Sequence, residues 1–103
     1  KGLEIKGATF VHILAPCPTG WRSDGAKTVG IAKLAVNSGV FPLFEIEDGK
    51  HVIQQPKKVT KDIREYLKLQ GRFKHLDEKD IEFIDKNVKY RYDRLVKLAE
   101  AGL

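Results

Sequence analysis

The sequence predicts an α/β segment, built as a strand, a helix and a hairpin, followed by a helical tail. Three observations carry that reading. Thr9 to Ala15 runs Thr-Phe-Val-His-Ile-Leu-Ala, nearly all apolar or β-branched, as a strand buried on both faces would be. Residues 25–55 then switch period, from an apolar stripe at helical spacing to alternation around a tight turn. From Pro56 onward the chain is charged and helical in pattern.

The first strand ends in Pro16-Cys17-Pro18-Thr19-Gly20-Trp21, where two prolines lack amide donors and a glycine permits unusual dihedrals, so the chain must leave the sheet. The helix over residues 25–38 follows from a cap at Ser23 or Asp24 and a stripe of Val29, Ala32, the Lys33 stem, Leu34 and Val36. Gly39 stops it. Val40 to Ile46 alternates as a strand that Pro42 confines to a sheet edge, and Asp48-Gly49 turns it into His51–Gln55. Thr60 caps a helix from Lys61 to Gln70, with Ile63, Tyr66 and Leu67 on one face and Gly71 as its stop. Asp77 caps a long final helix, whose stripe of Ile81, Phe83, Ile84, Val88, Tyr92, Leu95, Leu98 and Ala99 runs towards Gly102 and needs a surface to lie on. The division is therefore 1–55 and 56–103, with Gln54 to Lys61 as the joint.

Composition narrows the function classes. At 103 residues, 42% hydrophobic and 32% charged, the chain suits one folded unit and excludes a disordered, collagenous or disulfide-stapled protein. No stretch approaches the ~20 apolar residues of a membrane span, and a lone Cys17 forms no internal disulfide, so a soluble cytoplasmic protein is the expectation. Nineteen Lys and Arg against fourteen Asp and Glu give +5, which favours acidic partners. The chain begins at Lys1 and holds no Met, which points to a fragment or a processed chain.

Cys17 is the residue with chemical promise. A thiolate in a loop at a strand's carboxyl end can ligate a metal or attack a substrate, whereas a single cysteine is more often a small buried hydrophobe. An iron–sulfur cluster takes four thiolates, so a metal role requires ligands from outside this segment. A nucleophile needs a base, and His12, inside the expected strand, reads as a core or interface histidine. No phosphate-cradling glycine loop is present. Lys57, Lys58, Lys61, Arg64, Lys68 and Arg72-Phe73-Lys74-His75 form a basic cluster with acidic residues between, which favours a solvated or protein-docking face over a nucleic-acid surface. Glu45, Glu47 and Asp48 read as turn residues rather than an acid/base dyad.

The words His12-Ile-Leu-Ala-Pro-Cys17-Pro-Thr-Gly-Trp21, Val40-Phe-Pro-Leu-Phe-Glu45 with Asp48-Gly-Lys50, and Glu65-Tyr-Leu-Lys-Leu-Gln-Gly-Arg-Phe-Lys-His-Leu76 together form a recognisable pattern. Over essentially all 103 residues the chain resembles the C-terminal portion of the β subunit of pyruvate:ferredoxin oxidoreductases, or pyruvate synthases. The resemblance implies that residues 1–55 end a Rossmann-like, three-layer thiamine-diphosphate-binding domain and that 56–103 are a helical extension. It implies an enzyme that decarboxylates pyruvate, transfers the acetyl group to coenzyme A and passes electrons through [4Fe-4S] clusters to ferredoxin, in a complex with other subunits. A branched 2-oxoacid, 2-oxoisovalerate, is the alternative substrate. Cys17 matches the last of four ligands to the cluster beside the thiamine. The other three cysteines and the Gly-Asp-Gly motif that holds Mg2+ and the diphosphate are missing from these residues, so the fragment alone is expected to be inactive. No catalytic residue is assigned within it. Trp21 is read either as packing near the cluster or as an ordinary anchor of the loop. From a different class, a basic protein-interaction module with an inert Cys17 explains the charge but not the loop.

Overall fold

A computed structural model describes residues 1–103. After a short 3-10 turn at Gly2–Glu4, the chain runs extended to α1 (Pro18–Trp21), then through a second such turn at Gly25–Lys27 into α2 (Thr28–Asn37). Strands β1 (Leu43–Glu47) and β2 (Lys50–Gln55) form the hairpin. They are followed by α3 (Ile63–Leu67), a 3-10 turn at Gly71–Phe73 and α4 (Glu78–Glu100).

The strand expected at Thr9–Ala15 is not formed. Its backbone is extended, but residues 6–16 make no backbone hydrogen bond. A strand exists only through pairing, and no segment of this chain lies beside it. The apolar residues that suggested double-sided burial accordingly face outward: Phe10 is 89% exposed, Val11 77% and Ile13 77%. Only Leu14, in the same run, packs against the core.

The hairpin agrees with its sequence signal. β1 and β2 pair antiparallel, with Glu47 opposite Lys50, and Asp48 and Gly49 both take positive φ, 52° and 76°, as a two-residue I′ turn demands. Leu43 pairs with Gln55 and Phe44 with Ile53, so Gln54 is the extra residue of a bulge. The sheet has these two strands alone.

Asp24 accepts from the Ala26 amide and so starts the turn leading into α2, whose inner face buries Ile31 and Ala35. The helix after the joint is shorter than its pattern suggests, Ile63–Leu67, and its cap is Asp62 rather than Thr60. Asp62 accepts from the Arg64 amide two residues on, whereas the Thr60 and Lys61 amides are already bound to the Asn37 carbonyl. α4 begins with a full capping box in which Asp77 accepts from the Asp80 amide and Asp80 accepts from that of Asp77. Its stripe lies mostly within this chain: Tyr92 and Leu95 are buried, and Ile81, Ile84 and Val88 pack against the core. Phe83, counted in that stripe from the sequence, instead faces solvent at 71% exposure. Ile81 to Ile84 to Val88 to Tyr92 steps by three and four, and Phe83 lies off that row.

One core joins the two halves of the chain. Trp21, Ile31 and Ala35 from the first meet Ile63, Tyr66 and Leu67 from the second. The core is thin for the chain's length. The radius of gyration is 15.4 Å, against about 13 Å for a compact domain of 100 residues.

Candidate functional site

Cys17 sits where the extended segment enters α1, between Pro16 and Pro18, with its thiol free and exposed. Pro18 at the first helical position needs no amide partner, and the Cys17 carbonyl accepts from the Trp21 amide at 2.9 Å, closing the single turn. Arg22 then takes a left-handed conformation, φ 50°, which ends α1. Its carbonyl accepts from the Gly71 amide at 2.8 Å. The loop carrying the thiol is thereby tied to the segment between α3 and α4.

That tie is reinforced by side chains. Trp21 is buried and meets Tyr66 edge-on, with centroids 6.2 Å apart. The Arg72 guanidinium lies over the Trp21 ring at 3.9 Å and over the Phe73 ring at 4.5 Å. Its Nε donates to Gln70 Oε1 at 2.8 Å, and an Nη donates to the Tyr66 hydroxyl at 3.4 Å. Gln70, 2% exposed, donates through Nε2 to the Tyr66 carbonyl at 2.8 Å, so its amide is held at both ends. The Cys17 loop thus rests on Gln70, Gly71, Arg72 and Phe73.

The sequence places these residues differently. Gly71 reads as a helix stop, but the backbone of Arg22 passes so close that a Cβ there would lie 2.7 Å from Arg22 Cβ. Arg72 and Phe73 read as part of an outward basic cluster, yet both are half-buried against Trp21. No local signal separates an arginine stacked on a ring 51 residues away from one in water. Of the remaining basic residues, Arg64 pairs with Glu78 and, with Lys68 and Lys74, lines one surface groove, while Lys57 donates to the Ile53 carbonyl. Trp21 is an anchor, buried in the core beneath the loop.

His12 is exposed, with its ring edge against Phe41 at 5.0 Å, so of the core and interface roles expected for it the core role does not hold. The turn carboxylates Glu45 and Glu47 hold Lys1 Nζ at 2.5 and 2.8 Å, and these hydrogen bonds raise the lysine's pKa. Arg64 beside Glu78 and Lys89 beside Asp85 are likewise held in their charged forms. These are exposed pairs and contribute little to stability. Tyr92 has its phenol pKa raised by burial first and by the Asp93 charge second, and its hydroxyl donates to the Pro56 carbonyl. A surface groove of about 450 Å³ is lined by Arg64, Leu67, Lys68, Phe73 and Ile81 among others, and Cys17 is not part of it.

As a metal donor set, the chain offers one thiol. No three His, Cys, Asp or Glu side chains lie together as a metal group. A lone, exposed, unengaged thiol fits one corner of a cluster whose other ligands come from other residues, and fits no self-contained metal centre. Nor is any helix long and apolar enough to cross a membrane.

No family model matches the chain. It is 52% identical over 102 residues to the ketoisovalerate oxidoreductase subunit VorB of Pyrococcus abyssi, an alignment covering 97% of this chain and 33% of that protein. It is 47% identical over 88 residues to the pyruvate synthase subunit PorB of Methanocaldococcus jannaschii, covering 85% of this chain and 30% of that one. The chain belongs to the VorB and PorB family of oxidoreductase subunits. The PorB of Pyrococcus furiosus is 49% identical over 94 residues, covering 74% of this chain and 28% of that protein. The chain spans about a third of the length of the curated VorB and PorB relatives it matches.

Proposed function

We propose that this chain is the C-terminal part of the β subunit of a 2-oxoacid:ferredoxin oxidoreductase, and that Cys17 supplies one thiolate to a [4Fe-4S] cluster completed by residues outside it. In such an enzyme, thiamine diphosphate with Mg2+ provides the ylid and electron sink for decarboxylation, coenzyme A takes the acyl group and the cluster conveys electrons to ferredoxin. This chain's contribution is positional. The turn at Pro18–Trp21 holds Cys17 outward, and the contacts of Trp21 and Arg22 with residues 66–73 restrain the loop that carries the thiol. Residues 1–55 are the end of the thiamine-binding domain, in which Thr9–Ala15 completes a sheet supplied by the rest of the subunit. Residues 56–103 are its helical extension, and the location is cytoplasmic.

The observation that carries this is an exposed, unengaged thiol on a restrained loop, in a chain about half identical to subunits of such oxidoreductases. Replacing Cys17 with Ala in the complete enzyme is expected to remove one cluster's worth of iron and its spectroscopic signal and to abolish ferredoxin reduction. A variant with full iron content and full activity would overturn the assignment.

For the substrate, pyruvate and 2-oxoisovalerate both have support. The VorB alignments extend over 97% of the chain and the PorB alignments over 74–85%, which weighs towards the branched 2-oxoacid. The pyruvate reading rests on PorB identities nearly as high. Ferredoxin reduction assayed with each acid separates them by the ratio of kcat/KM. An enzyme using neither acid would remove both readings.

A further inference from the structure

We infer that Arg72 is a positioning residue for the Cys17 loop, and that it sets both how firmly the loop is held and the charge it experiences. The inference rests on Cys17 being a cluster ligand. Arg72 is half-buried, and its hydrogen bonds go only to neutral groups, Gln70 Oε1 and the Tyr66 hydroxyl. The ion pairs of the chain use Lys1, Arg64 and Lys89, so the Arg72 charge meets no carboxylate. A half-buried guanidinium with no carboxylate partner leaves its positive charge uncompensated and so available to a neighbouring anion. The ring it covers, Trp21, belongs to the same single turn as Cys17, and its backbone N–H donates a hydrogen bond to the Cys17 carbonyl. A thiolate-ligated iron–sulfur cluster is anionic, and its potential responds to nearby charge and to solvent access.

Two properties of Arg72 are separable. Its flat guanidinium lies against two rings while donating in two directions, which an ammonium cannot do, whereas its positive charge is shared with lysine. In the complete enzyme, Arg72→Gln is expected to lower the midpoint potential of the cluster nearest Cys17 and to speed iron release to a chelator roughly tenfold, the scale of a partly desolvated cation–π contact. Arg72→Lys is expected to keep the potential near wild type yet release iron as fast as the Gln variant. If Arg72→Gln fails to assemble, the faster release in Arg72→Lys carries the test. Wild-type potential and release in both variants would overturn the inference while leaving Cys17 as ligand. A Cys17→Ala enzyme that keeps every cluster would overturn the ligand reading and this inference together.

Discussion

Gly71 has no room for a side chain. A Cβ would lie 2.7 Å from Arg22 Cβ and 3.0 Å from the Arg22 carbonyl, atoms that move only with the backbone. Gly71→Ala is therefore expected to cost about 1–3 kcal/mol, the range for overpacking. Urea unfolding, with the midpoint compared at constant slope, measures it. Tyr92 answers to pH. Burial, and then Asp93, raise its phenol above the unfolded value near 10, so the neutral form stabilises the fold below that pH, and the contribution is lost as pH rises through the folded pKa. Stability measured from pH 8 to 11 is expected to fall more steeply in the wild type than in Tyr92→Phe. At neutral pH the Phe variant is expected to be weaker by about 1 kcal/mol, since the Pro56 carbonyl loses its donor.

Elements obey their local chemistry where that chemistry is self-sufficient. The reciprocal bonds of Asp77 and Asp80 satisfy donors that the start of α4 would leave open. Asp77→Ala is expected to lower stability by about 1 kcal/mol, read as loss of helical signal at lower temperature. The hairpin turn depends on Gly49 at φ 76°. Gly49→Ala is expected to cost about 1–2 kcal/mol through the left-handed conformation, with amide exchange speeding first in β1 and β2. Capping and I′ turns need only neighbours in sequence, which is why the hairpin and the start of α4 are legible in it.

At the scale of the whole molecule, the largest departure from local order is Thr9–Ala15. Phe10, Val11 and Ile13 are apolar, extended and exposed on a backbone with free donors and acceptors, an edge ready to pair. The isolated chain is expected to self-associate through it. Replacing Phe10 and Ile13 with Ser is expected to shift sedimentation towards monomer; unchanged association would place the contact elsewhere, with exposed Phe83 and Tyr90 of α4 the next surface to alter.

By itself the sequence determined what depends on neighbours in the chain: the Asp48-Gly49 turn, the Asp77 cap and a cysteine set between two prolines, whereas the buried face of α2 is Ile31 and Ala35 and not the stripe that begins at Val29, which is 69% exposed. Its words also carried the family. Tertiary structure decided what depends on distant partners. It left Thr9–Ala15 unpaired because pairing is a property of two segments. It brought Gly71 against Arg22 and Arg72 onto Trp21 because backbone approach and ring stacking have no signature along the chain, and so joined the Cys17 loop to residues 66–73 across the core.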